Sequence, residues 1–204
     1  MTEGDRHHML APYPSGARAR IGRRQLICAA AAVCWVAHSR AQAGTSAPEE
    51  LQLWLPSAQL SGSTRFRYWG FAVYDASLWV QPGFRPQQFE RHDFALQLHY
   101  LRDFTNAAIT GRSVDEMARQ TRPTSARRQQ WIEWLQGAFP DVHVGDRITG
   151  INRPGVGVLF FTNGRQTGKV SDTSFARLFF GIWLSADTSE PAMRQALLSN
   201  TAGA

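Results

Sequence analysis

Beyond residue 43 this chain of 204 residues has no cysteine. Its two cysteines, Cys28 and Cys34, lie in one apolar stretch near the N-terminus, so the rest of the chain holds no disulfide, no thiol nucleophile and no cysteine metal site. Cys28 follows Ile27 and Cys34 follows Val33, whereas a lipid-modified cysteine needs a small residue before it; no lipid anchor is expected. Long apolar runs are missing too. Leu26 to Ala37 is well short of the roughly 18 residues that a membrane-spanning helix requires, and no later run is longer. Standard catalytic signatures are absent: there is no Gly-x-Ser-x-Gly elbow and no phosphate-binding glycine loop, and Gly155-Val156-Gly157 lacks the third glycine of a dinucleotide fingerprint. His92, His99 and His143 are scattered without ligand spacing, and Asp141, Asp146 and Asp172 sit in turns where local capping accounts for them. Neither a metal nor a cofactor is expected.

Excess charge is lacking once it is located. The formal charge is +6, but Arg6, Arg18, Arg20, Arg23, Arg24 and Arg40 precede Gly44, with only Glu3 and Asp5 opposing them. From Gly44 onward 16 basic residues face 14 acidic ones, a net charge of +2, which is no electrostatic footprint for nucleic acid. The basic N-terminus has the layout of an export signal: Arg18 to Arg24, the apolar Leu26 to Ala37, then the small-residue site Ala41-Gln42-Ala43. Arg23-Arg24 resembles a twin-arginine signal, and the general secretory route remains open beside it. Residues 1–43 are therefore expected to be a leader and 44–204 one domain, exported to the periplasm, monomeric, and without stable membrane insertion after cleavage.

What is present is 43% apolar composition and 11% aromatics, enough for a proper core. Leu51 to Leu55 alternates apolar and polar residues and predicts a first strand. Thr64 to Val80 predicts two closely spaced strands or one long strand bent at Gly70, and Phe94 to Tyr100 alternates Phe94, Leu96, Leu98 and Tyr100 against Ala95, Gln97 and His99. Ser113-Val114-Asp115-Glu116 reads as a capping box opening a helix that ends before Pro123; a second helix, capped at Thr124 or Ser125, runs to about Gln136. Asp146 to Ile151 predicts a strand, and Val156 to Ser171 a hairpin turning at Asn163-Gly164. Phe175 to Leu184 predicts a buried helix, and a last helix begins near Ser189 with Pro191 in its first turn. Strands, helices, strands and helices in that order point to α+β.

The polar residues of interest lie in the aromatic strands. Arg65 and Arg67 flank Phe66 on one strand face, Tyr74 follows, and Tyr100 and Arg102 are two apart. Beside an apolar cavity a guanidinium fork suits a carboxylate or phenolate, with a tyrosine hydroxyl as second donor. Equally, each arginine pairs with a local acid, Arg102 near Asp103 or with Glu116 for instance, and each tyrosine is core.

Taken together, Phe71 to Val80 (FAVYDASLWV), Leu98 to Phe104 (LHYLRDF), Phe139-Pro140-Asp141-Val142 with Gly145-Asp146, Phe179 to Leu184 (FFGIWL) and Pro191 to Leu198 (PAMRQALL) resemble the bacterial chalcone-isomerase-like family over about Leu51 to Leu198. The resemblance implies an open-faced β-sandwich of chalcone isomerase type: an antiparallel sheet with helices packed on one face and a cleft between. It also implies, from plant chalcone isomerases, an early-strand arginine holding an oxyanion, with a threonine and a tyrosine ordering a water. Arg65 or Arg67 matches the arginine, but the other two positions fall at Tyr74 and near Ser113, so two of the three residue types are missing. Relatives that bind fatty acids keep an arginine and a tyrosine, a role open to Tyr74 or Tyr100. Two functions follow as expectations: a non-catalytic binder of a small apolar or carboxylate ligand such as a fatty acid, or an intramolecular lyase or isomerase with a rearranged site.

Overall fold

The computed structural model describes residues 47–201, and the leader reading therefore lies outside the described residues. Six strands form one sheet in sequence order: β1 (Gln59–Tyr68), β2 (Phe71–Val80), β3 (Phe94–Tyr100), β4 (Arg147–Arg153), β5 (Gly157–Thr162) and β6 (Arg165–Val170). Every neighbouring pair is antiparallel. Two of the connections are tight hairpins. Asn163 and Gly164 have φ of 51° and 81°, and Trp69 and Gly70 have the same pair of values, the double positive φ that matches the twist of the flanking strands.

Register decides which face each residue takes. Tyr74 pairs with Tyr100, Ala76 with Leu98 and Leu78 with Leu96, so these share one face; Asp75 with His99 and Ser77 with Gln97 share the other. The first face carries the main core. Helices α2 (Asn106–Arg119), α3 (Ser125–Ala138), α4 (Thr173–Leu184) and α5 (Pro191–Leu197) belong to it, with Phe94, Phe160, Phe175 and Phe180 fully buried. A Cβ on Gly62 would lie 2.1 Å from the carbonyl oxygen of Ala196, so the absence of a side chain lets the end of α5 close onto β1. Ser61 Oγ donates to the Leu197 carbonyl there at 2.8 Å.

Two local expectations are corrected. Leu51 to Leu55 is not a strand: α1 (Glu49–Trp54) occupies that stretch. Leu51 and Leu55 fit a period of two and a helical i, i+4 spacing equally well, and the discriminating residue is Leu53, which is 79% exposed. Glu49 and Glu50 in the first turn favour the helix through its dipole. This helix seats Leu51 and Leu55 on Trp79, Ala95, Ile151 and Phe161, so the outer face of the sheet has a small core of its own. The second correction concerns Ser113, which opens no helix. Thr105 caps α2, accepting from the Ala108 amide at 3.2 Å, while Asp141 accepts from the Asn106 amide at 2.7 Å. Ser113 lies two turns inside and donates to the Ile109 carbonyl.

Candidate functional site

Between the inner face and the helices lies a cleft of about 210 Å³. Its floor is the end of the sheet beside the β1–β2 turn, where Phe66, Tyr74 and Tyr100 stand in line across three strands. The Phe66 and Tyr74 rings stack at 5.1 Å, and Tyr74 meets Tyr100 edge-on at 6.0 Å. Ala108 and Ile109 of α2 and Phe179, Ile182 and Trp183 of α4 close the opposite wall. Strand alternation on one side and helical spacing on the other thus aim apolar groups into the same space.

Two phenols supply the polar chemistry of the floor. Tyr74 accepts a hydrogen bond from Trp183 Nε1 at 3.2 Å and keeps its own proton to donate. Burial pushes the Tyr74 hydroxyl up to about 12, with the Trp183 N–H pulling the other way. Tyr100, only 4% exposed, is pushed higher still by burial and by Tyr74, and its hydroxyl has no hydrogen-bond partner among the described residues. Both remain neutral donors at any physiological pH and neither is available as a phenolate base.

The rim is charged. On α2, Arg112 Nη2 lies 2.8 Å from Glu116 Oε1, Arg119 Nε lies 3.6 Å from Glu116 Oε2, and Ser189 Oγ donates to the same oxygen at 2.9 Å. Glu116 is buried and so held by three partners, which is what a buried carboxylate needs. Arg112 is more than half exposed at the opening and spends one donor on Glu116, leaving the others of its fork to face a ligand.

Of the residues singled out in the sequence, the structure brings Tyr74 and Tyr100 together in the cleft and leaves the three arginines outside it. Arg65 pairs across the strands with Asp75 and forms a bidentate bridge to it at 2.7 and 2.9 Å, on the outer face. The carboxylate holds the guanidinium above its ordinary pKa, and Asp75 is correspondingly lowered by Arg65. Arg67 is exposed and donates to the Gly70 carbonyl at 3.2 Å. Arg102 is beyond the end of β3, with its guanidinium 5.0 Å from the centre of the Phe71 ring rather than on Glu116. The residue missed was Arg112. Once α2 is started at Asn106, Ala108, Ile109, Arg112, Ser113 and Glu116 fall on one helical face, but the false cap at Ser113 hid that pattern.

The family profile described as Chalcone isomerase-like matches residues 39–199. The chain belongs to the chalcone isomerase-like family. Among solved structures, the crystal structure of an Arabidopsis thaliana fatty-acid binding protein is similar at a TM-score of 0.57 and 12% identity, covering 72% of this chain and 89% of that one. A search of curated proteins gives no match. The meander sheet with its cleft under α2 and α4 is thus the chalcone isomerase-like fold, and neither Arg65 nor Arg67, the candidates for an oxyanion-holding strand arginine, lines that cleft. Phe66 takes the inward position between them.

Proposed function

We propose that this chain is a non-catalytic binder of a small amphiphile, with an apolar tail in the cleft and an acidic or carbonyl head group taken by Tyr100, Tyr74 and Arg112. The observation that carries the reading is the Tyr100 hydroxyl, without a hydrogen-bond partner among the described residues, on the floor of a cleft whose lining is mostly apolar. A volume of 210 Å³ corresponds to about seven water-sized groups at ~30 Å³ each, so a medium-length chain or a single ring fits inside and anything longer emerges at the rim. The fatty-acid binding of the Arabidopsis protein of like fold supports the ligand class. An isomerase reading draws no support from Arg65 or Arg67, since neither lines the cleft where an oxyanion would lie.

The test is calorimetric titration of decanoic acid and of benzoic acid into the protein. Tyr100→Phe should weaken binding by about 2- to 12-fold, the equivalent of one neutral hydrogen bond at ~0.5–1.5 kcal/mol. Arg112→Ala should weaken it by about one to two orders of magnitude, Ile109→Trp should abolish it by filling the cleft, and Arg65→Ala should leave it unchanged. Binding by neither ligand, or binding indifferent to Ile109→Trp, removes the reading.

Export of the chain to the periplasm after cleavage behind Ala43 belongs to the same proposal and rests on the composition of residues 18 to 43. Mass spectrometry of the mature protein, expected to begin at Gly44, tests it.

A further inference from the structure

The turn between β1 and β2 ends in a cluster of exposed aromatic side chains. Tyr68 is 55% exposed, Trp69 85% and Phe71 63%, and the rings of Tyr68 and Trp69 lie 6.1 Å apart. Single exposed apolar residues are ordinary, whereas three adjacent large ones at a protruding tip are not. The turn chemistry sharpens the point. Trp69 adopts φ of 51°, where glycine or asparagine would sit with less strain, so a bulky indole is held at the tip against local backbone preference.

Cations flank the rings. Arg67 folds onto the Gly70 carbonyl, and Arg102 lies over Phe71. The nearby carboxylates are already committed: Asp103 accepts from the Val144 amide at 2.8 Å, and Asp146 accepts from the His143 amide at 2.7 Å and from Asn163 Nδ2 at 2.9 Å. Exposed Val144 adds one more apolar group to this end of the sheet.

We propose that this hairpin tip docks on an anionic lipid bilayer. The indole, phenol and phenyl rings enter the boundary between head groups and acyl chains, where amphipathic aromatics reside, and Arg67 and Arg102 meet lipid phosphates. A bilayer suits the tip better than a protein groove because exposed aromatic rings are combined with two arginines, Arg67 and Arg102, that make no salt bridge among the described residues. Among the described residues no helix is long and apolar enough to cross a membrane, so the contact is a surface one. The position relative to the cleft gives docking a use. Tyr68 is two residues along β1 from Phe66, on the cleft floor, a rise of about 6.6 Å, so a docked tip brings the cleft to the surface from which an amphiphile is drawn. Only that last step rests on the proposed ligand binding.

The experiment is co-sedimentation of the full chain with phosphatidylcholine vesicles, with and without phosphatidylglycerol. Trp69→Ser combined with Phe71→Ser should weaken binding about tenfold or more, and Arg102→Ala about fivefold on the anionic vesicles alone. Leu53→Ser, which removes an equally exposed apolar residue from α1, should change nothing. Brominated lipid should quench a component of tryptophan emission that disappears in Trp69→Phe, a readout confined to the tip. Ile109→Trp, which blocks the cleft, should dock normally, so failure of ligand binding and failure of docking are separable. Unchanged sedimentation of the Trp69→Ser/Phe71→Ser variant, absence of quenching assigned to Trp69, or conversion of a lipid-free dimer to monomer by that variant would overturn the proposal, the last because the tip would then bind a second copy.

Discussion

Truncating Trp183 to alanine removes the side chain that forms both core and cleft wall. Trp183 is 6% exposed, packs edge-on against Phe179 at 5.6 Å, and donates to Tyr74. Loss of a buried aromatic costs about 3–5 kcal/mol through lost transfer energy and the void left behind. The vacated space would join a cleft of about 210 Å³ that solvent already reaches, so water enters it and the cost should fall near ~3 kcal/mol. Trp183→Phe separates the two contributions. It keeps an aromatic ring beside Phe179 but loses the N–H donor and three buried ring atoms, for about 1–3 kcal/mol. Guanidinium unfolding of both variants, with equal denaturant slopes, measures the two figures. A second readout follows the bond itself: in Trp183→Phe, where the site stays filled, the Tyr74 phenolate loses the N–H that stabilises it, so the tyrosinate absorbance transition should move upward. A loss under ~1 kcal/mol in Trp183→Ala, or equal losses in the two variants, would refute this assignment of the side chain.

Stability should also fall at both ends of the pH scale. Tyr74 binds its proton more tightly folded than unfolded, so its contribution is complete below the ordinary tyrosine value near 10 and is lost as pH rises towards about 12; Tyr74→Phe should flatten that loss in chemical denaturation. Asp146 is lowered by the His143 amide first and then by Asn163, so its contribution is present above the ordinary aspartate value of about 3.9 and lost as pH falls below it; Asp146→Ala should be less stable at neutral pH and less sensitive to acid. Gly62→Ala should cost about 1–3 kcal/mol, because the new methyl group meets the Ala196 and Leu197 carbonyls at 2.1 and 2.7 Å and α5 must move away. Native-state hydrogen exchange should then show the opening confined to α5 and the start of β1.

Much of the fold was legible locally. Period-two alternation placed β3 and its two faces, Asn163-Gly164 placed the last hairpin, and the continuous apolar run placed α4, because each of these is a short-range pattern with one structural solution. The two errors arose where a pattern has two solutions. Leu51 and Leu55 satisfy strand and helix alike, and only packing against Trp79 and Ile151 on the sheet decides between them. A serine and a glutamate three apart read as a cap, yet the same pair inside a helix serves other ends: Ser113 bonds back to Ile109, and Glu116 gathers Arg112, Arg119 and Ser189.

By itself the sequence determined the α+β class, the two faces of β3 and the lack of cysteine chemistry beyond residue 43, and it offered Tyr74 and Tyr100 as candidates. Tertiary structure alone decided which cation accompanies them. Arg65 and Tyr74 look like neighbours from their spacing, but pairing of Arg65 with Asp75 and of Phe66 with Tyr74 sets the arginine on one face of the sheet and the phenol on the other. Register across a hairpin is a relation between strands, fixed by the turn and by which face must be buried, and no residue carries it alone. Arg112 comes from a helix some forty residues further along the chain and reaches the cleft because α2 folds back over the sheet, a closure that spacing along the chain cannot express.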